Sequence, residues 1–534
     1  MAETRRCTPT PASATRAKVL AWVVPALFLM KASILGLRIV GRWEVPDEEG
    51  HFAYARDLWT GRGVRPLGEA LIDPDIMTDL LERRAPAVGN WIVQHPPLYH
   101  VAAGAAWKAA TMFTEDPNLL FRAPRLVSAF FGAMTLFYVY KITYRMGCGV
   151  WPAFATAAAC SAIVPFTWLA SGTNHDTMVA ALSAASAFYF ADFMLGRRPF
   201  SALVSAFLIG AAAGTKITAL AVLTPLVTIL VLECSVVGGW RRWAGRAAAL
   251  AAVSMLLPGL WLMRNHVVYA DAFATAPSVA GSQPLASLVG TSALHFLRSH
   301  SIIERFFVDF FGTIGVFEET QGARHAISMP GPQLAMYGVV VLVVVGTTCS
   351  RLAASVWPAW LARGQGAAPP TLLSALQSRL PLLRRNWWPA MLVAIAFLGL
   401  PFALQVSGTG TSRLLILPGV LLTYLACGLS LSVFVLPYDQ RSRLMLYSLC
   451  IIGVFAILFV RQLFGRFQEL GSSVMAARYA YAAIGFVVVG LIGPALLTLP
   501  RWADRIALTA ALFLCLVDVG FMFTRLIPFF AGSS

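Results

Sequence analysis

The chain has 534 residues, of which 58% are hydrophobic and only 12% are charged, with a formal net charge of +16. A soluble domain carries about 25% charged residues, and the apolar residues here come in runs of about 18 to 25, the length that crosses a bilayer as helix. Together these exclude a soluble enzyme and a β-barrel, whose strands would be short and alternating. They define an all-α polytopic membrane protein.

In chain order, thirteen spans are predicted near 19–39, 124–144, 151–170, 176–195, 201–215, 217–234, 246–263, 334–350, 388–406, 414–435, 444–461, 478–498 and 506–528. Residues 1–18 precede the first run as a basic tail with Arg5, Arg6, Arg16 and Lys18. That run is too long for a cleaved signal and is expected to remain as an anchor. With the amino terminus in the cytoplasm, the inner connections hold Arg145, Arg197-Arg198, Arg241-Arg242-Arg246, Arg351, Arg363, Arg379, Arg384-Arg385, Arg441, Arg443, Arg501 and Arg505. This follows the positive-inside rule, and it accounts for the positive charge without nucleic acid as a partner. Arg461, Arg466 and Arg478 depart from it.

Two long outer segments result, 40–122 and 264–333, facing away from the cytoplasm. The apolar stretch 98–114 is short, interrupted by Lys108 and preceded by Pro96-Pro97. It is read as an interfacial helix, because counting it as a span would put the arginine clusters outside. Residues 19–352 then form the catalytic transmembrane module, 353–387 a cytoplasmic linker rich in Pro, Gly, Ala and Arg, and 388–534 a group of carboxy-terminal helices. None of the eight cysteines falls in an outer segment, so no disulfide framework is expected.

The polar motifs lie on one side. Asp47 and Glu48 follow Pro46 just outside the first span, a pair able to supply a general base and its orienting partner. His51 lies four and three residues further on, so a helix puts all three on one face. As helix-start carboxylates, the pair would equally act as caps. Gln94 and His95 precede Pro96, Pro97 and Tyr99, which fix a helix entry. Asn174-His175-Asp176 interrupts two long apolar runs at an outer mouth. Asn174 alone suits a turn cap, while Asp176 is favoured for a site role. Lys216, one of only five lysines, sits between apolar stretches at the depth of Arg264 and Arg413. Three cations around one cavity suit a phosphate, although any one of them alone would pass for a snorkelling anchor. Asp73-Pro74-Asp75 has the form of a metal-binding Asp-x-Asp, but that loop pattern is of low specificity and no metal is assigned. Neither a phosphate-binding P-loop nor a dinucleotide glycine fingerprint is present.

Taken in order, Pro46-Asp47-Glu48-x-x-His51-Phe52, Gln94-His95-Pro96-Pro97-Leu98-Tyr99, Arg125-Leu126-Val127-Ser128-Ala129, Asn174-His175-Asp176, Gly214-Thr215-Lys216, Arg264-Asn265 with Tyr269-Ala270-Asp271, Phe310-Phe311-Gly312, and Ser412-Arg413-Leu414 resemble the GT-C superfamily of integral-membrane glycosyltransferases. The nearest branch is the protein-mannosyltransferase-like family 39 and its DUF2142-type relatives. The chain departs from that pattern at Leu414, Ala270 and Phe311, where relatives carry Tyr, Gly and Trp.

The resemblance implies a GT-C fold and transfer of a sugar from a polyprenyl-phosphate donor to a glycan, lipid or protein acceptor. It also implies Asp47 as the acceptor-activating carboxylate with Glu48 beside it, and Lys216, Arg264, Arg413 and Arg125 on the donor phosphate. His51, Gln94, His95, Tyr99, Asn174, His175 and Asp176 would line the substrate site. No cofactor is expected. A transporter or flippase of lipid-linked glycans, or a ligase using them, shares many of these features and stays open at this point.

Overall fold

The computed structural model describes residues 11–81, 84–234, 240–272, 274, 310–311, 313–314, 327–361, 440–453, 456, 477–498 and 502–532. Among them, seven helices are long and apolar enough to cross a membrane, within Thr15–Ile39, Pro117–Arg145, Asp176–Gly196, Ala244–Tyr269, Gly331–Ser350, Ala480–Thr498 and Ala503–Phe529. The chain is all-α and polytopic, and the described residues hold two short two-stranded sheets. The sequence-predicted spans 388–406 and 414–435, and Arg413, lie outside the described residues.

Helix α1 (Pro11–Ile34) ends in a π-helical turn, Leu35–Ile39. The first outer segment follows. It holds α2 (Glu48–Trp59), β1 (Leu71–Ile72), α3 (Pro74–Leu81), β2 (Val88–Gly89), a 3-10 turn at Trp91–Gln94, α4 (Leu98–Ala110) and α5 (Pro117–Arg122). Strands β1 and β2 pair antiparallel with Leu71 opposite Gly89. Helix α4 has 13 residues, about 20 Å at 1.5 Å per residue, too short to cross a core about 30 Å thick. It packs against α2 instead.

Seven helices follow: α6 (Arg125–Arg145), α7 (Val150–Ser161), α8 (Val164–Ala170), α9 (Asp176–Gly196), α10 (Pro199–Ala213), α11 (Leu220–Cys234) and α12 (Trp240–Tyr269). The predicted single span 151–170 is broken, with α7 and α8 meeting at 73°. Pro165 in the first turn of α8 has no N–H to continue a ladder. The carbonyls freed at the break are taken up by Lys31 Nζ on Ser161 O (3.2 Å) and by the Tyr337 hydroxyl on Ala162 O (2.6 Å), as an apolar medium requires. The predicted spans 201–215 and 217–234 are helices of 15 residues each. The chain between them turns at Gly214-Thr215-Lys216, where Lys216 is extended (φ −146°, ψ 122°).

After a hairpin of β3 (Thr313–Ile314) and β4 (Ile327–Ser328), α13 (Gly331–Leu361) runs 31 residues. The carboxy-terminal part holds a 3-10 stretch at Ala477–Ala483, α14 (Ile484–Val487), a π-helical turn at Val488–Ile492, α15 (Gly493–Thr498), α16 (Ala503–Phe521) and α17 (Ile527–Gly532). These helices share the main core: Phe28, Leu136, Phe166, Phe190, Phe486 and Val489 belong to one buried cluster. Leu27, Leu342, Leu512 and Phe523 point outward and are exposed, as residues facing lipid do.

Candidate functional site

Two ends of the helix bundle carry different chemistry. At one end Arg145 pairs with Asp192 (2.6 Å) and Arg197 with the buried Glu233 (2.6 Å). These are the arginines that the sequence places at the cytoplasmic side. The opposite end gathers the start of α2, the start of α6, the turn before α9, the end of α10 and the end of α12.

That end is organised around Glu48 and Arg125. Burying a guanidinium among helix ends costs heavily unless every donor is matched, and here all five are. Arg125 Nε donates to Glu48 Oε1 (2.8 Å) and Nη2 to Glu48 Oε2 (2.7 Å). Nη1 donates to Gly36 O and Val40 O (both 2.8 Å), and Nη2 also to Gly41 O (2.6 Å). Glu48 Oε1 further accepts from the Thr173 backbone N–H (2.7 Å). The side chains are 1% and 0% exposed.

This environment bears on two sequence-based assignments. Arg125 has no donor left for a substrate phosphate, and Glu48 has its carboxylate fully engaged. The pair fastens α1, α2, α6 and the turn before α9 to one another. Asp47 differs from its neighbour. It precedes α2 in the left-handed region (φ 61°) without capping the helix, a conformation that Asp tolerates better than most residues. It is half-buried, and its Oδ1 accepts from Trp91 Nε1 (3.3 Å).

A run of contacts connects Asp47 to Lys216. Asn174 Nδ2 donates to Pro46 O (3.3 Å), and Asn174 Oδ1 accepts from the Asp176 N–H (2.8 Å), capping α9. Asp176 Oδ1 holds Lys216 Nζ at 2.5 Å, with both side chains 5% exposed. Tyr99 and Ser128 hydroxyls share a hydrogen bond (2.7 Å), and Ser128 Oγ also accepts from the Asn174 N–H (3.2 Å). Burial pushes the Tyr99 hydroxyl above its ordinary value, opposed by Ser128.

Arg264, half-buried, donates to Asn265 Oδ1 (3.0 Å), to the Tyr269 hydroxyl (3.2 Å) and to Arg65 O (3.2 Å), and stacks on Trp261. Its charge acts on Tyr54, whose hydroxyl is pushed up by burial and pulled back by Arg264. Tyr54 in turn packs on His100, with ring centroids 4.3 Å apart.

The expected face of α2 is partly realised. His51 points into the protein, with Nδ1 2.9 Å from His100 Nε2. His51 and His175 rings meet edge to face at 4.4 Å, and His95 and His175 at 4.8 Å. Desolvation holds His100 down at about 3 against the Pro96 carbonyl, and holds His175 well below its ordinary value, helped by Lys216. Gln94 and His95 are half-buried at the rim. The expectation that Pro96-Pro97 fixes this entry agrees with Pro97 directly preceding α4.

His100 was missed in the sequence. Its signal is weak, since it follows Tyr99 in an Ala-rich helix, and only α2 and the α9 turn bring its partners to it. Asp73 and Asp75 are spent on arginines: Asp73 accepts from Arg56 (2.7 Å) and Arg62 (2.6 Å), and Asp75 from Arg56 (2.7 Å). The Arg56 hydrogen bonds hold the Asp75 carboxyl below its usual range.

No known family profile matches the chain, and no curated protein matches it. Two solved structures resemble it. One is the crystal structure of ArnT from Cupriavidus metallidurans bound to undecaprenyl phosphate, at 15% identity and TM-score 0.32, covering 91% of this chain and 77% of that one. The other is the apo state of ArnT from the same organism, at 17% identity and TM-score 0.33, covering 91% and 78%.

Proposed function

We propose that the chain is a GT-C-type glycosyltransferase of the bacterial inner membrane, working at its periplasmic face. It moves a sugar from a polyprenyl-phosphate donor to an acceptor hydroxyl on a glycan, lipid or protein. The acceptor oxygen attacks the anomeric carbon, the bond from that carbon to the phosphate oxygen breaks, and the electron pair leaves with the lipid phosphate. The acceptor's proton passes to the Asp47 carboxylate. Configuration inverts, because one displacement occurs. Lys216 and Arg264, with Arg413, offset the charge that develops on the leaving phosphate, an effect strengthened where water is scarce. Asp176 positions Lys216, while Gln94 and His95 at the rim are offered to the sugar. Tyr99, Asn174 and the Glu48–Arg125 pair hold the frame.

One observation carries this reading. Asn174 joins the backbone beside Asp47 to Asp176 and thus to the Lys216 ammonium, so a carboxylate and a cation far apart in sequence meet at one end of the bundle. The ordered motifs quoted above supply the substrate class.

The test is transfer of radiolabelled sugar from polyprenyl-phosphate donors in membranes. Asp47→Asn is expected to lower transfer by about 10²–10⁴-fold, the usual contribution of a positioned base. Lys216→Ala is expected to lower it by about 10²–10³-fold. Equal labelling by wild type and both variants defeats the proposal.

A further inference from the structure

Three buried imidazoles meet at the junction of α2, α4 and the turn before α9. His51, His100 and His175 are 1%, 0% and 2% exposed. One ligand-competent atom from each lies within 4.8 Å of the other two. They come from three separate segments, so the cluster is not a by-product of helical spacing.

The hydrogen-bond count does not close for the rings alone. His51 Nδ1 and His100 Nε2 face each other at 2.9 Å and share one proton. His175 Nδ1 is buried with no hydrogen-bond partner among the described residues. A buried polar nitrogen left unpaired is costly and calls for an explanation. The other nitrogen, His175 Nε2, stands 3.6 Å from Asp176 Oδ1.

From this we infer that His51, His100 and His175 form a buried site for one divalent cation of the zinc class. Three imidazoles with no thiolate suit zinc, cobalt, nickel or copper and are poor ligands for magnesium or calcium. In a tetrahedral site with bonds of about 2.0–2.1 Å, two ligand nitrogens lie about 3.3 Å apart, so the widest pair, within 4.8 Å here, closes by about 1.5 Å on binding. His95 packs edge-on to His175, with ring centroids 4.8 Å apart. The ion ties α2 to α4 and to the residues preceding Asp176, so it braces the segments that carry Asp47 and Asp176. The inference stands on this geometry and is independent of the glycosyl-transfer reading.

The experiment uses the full chain, purified in detergent with a tag free of histidine, incubated with zinc chloride and then dialysed. Elemental analysis is expected to find one zinc per chain in the wild type and in the exposed His266→Gln control. His100→Gln and His175→Gln are expected to hold less than about a tenth of that. Thermal melting of the wild type gives a second readout that needs no variant: zinc is expected to raise Tm, and dipicolinate to reverse the rise. Stripped wild type that takes up no zinc, or whose Tm zinc does not move, overturns the inference, as do variants that bind as much as wild type. Zinc bound without any sugar transfer leaves this inference standing and defeats the proposed function alone.

Discussion

Asp47 and Glu48 are adjacent and identical in charge, yet their environments differ. Glu48 is sealed against Arg125, and removing either partner strands a buried charge at a cost of about 3–5 kcal/mol. Glu48→Ala and Arg125→Ala are therefore expected to lower Tm sharply or to abolish recovery of monodisperse protein from detergent. Asp47→Asn keeps the left-handed turn and is expected to melt like the wild type while losing transfer. Size-exclusion profiles and melting curves on the three variants separate the two roles. A stable Glu48→Ala protein would contradict the sealing role of the pair. The sequence could not make this division. Helical spacing alone puts both carboxylates near His51, and the partner that decides between them lies 77 positions away from Glu48.

At the level of elements, the outer segment depends on how closely α2 and α4 approach. Gly104 sits at their crossing, where a Cβ would collide with the Trp59 ring and the Ala55 carbonyl. The approach is what sets His51 against His100. Gly104→Leu is expected to force the helices apart, to cost about 1–3 kcal/mol, and to diminish sugar transfer with it. A melting curve and a transfer assay on the variant check this, and unchanged values in both contradict the argument.

The existence of α4 was legible, because Pro96-Pro97 marks its start and its length rules out a span. The break between α7 and α8 was hidden inside a continuous apolar run. Hydropathy averages over Pro165 and carries no information about Tyr337 and Lys31, whose side chains make the bend tolerable.

A partly buried ion pair also joins the two ends of the sequence. Lys31 Nζ on α1 meets Asp518 Oδ2 on α16 at 2.5 Å, 487 residues apart. Charged groups within spans are expensive and persist when paired. Lys31→Met is expected to destabilise the protein by several kcal/mol by leaving Asp518 alone, and Lys31→Met with Asp518→Leu is expected to recover most of that loss. Melting curves of the single and double variants make the check, and a double variant as unstable as the single one contradicts it.

On the scale of the whole molecule, the separation of polar site from arginine-rich end is the feature the sequence reveals best. Apolar length and loop charge accumulate along contiguous residues and need no knowledge of tertiary contacts. Convergence of Asp47, Asp176, Lys216 and Arg264 was legible only as a shared side, because depth and side do not fix which helix ends touch. The same separation supplies a test of orientation. Glu115, exposed in the connection from α4 to α5, lies on the site side, and Arg198, with its side chain 73% exposed, lies at the other end. In a cysteine-free background, Glu115→Cys is expected to react with a membrane-impermeant maleimide added to intact spheroplasts. Arg198→Cys is expected to react only after the membrane is opened, since the positive-inside rule assigns the arginine-rich end to the cytoplasm. The reverse pattern would put the site in the cytoplasm, where a donor exposed at the periplasmic face could not reach Asp47.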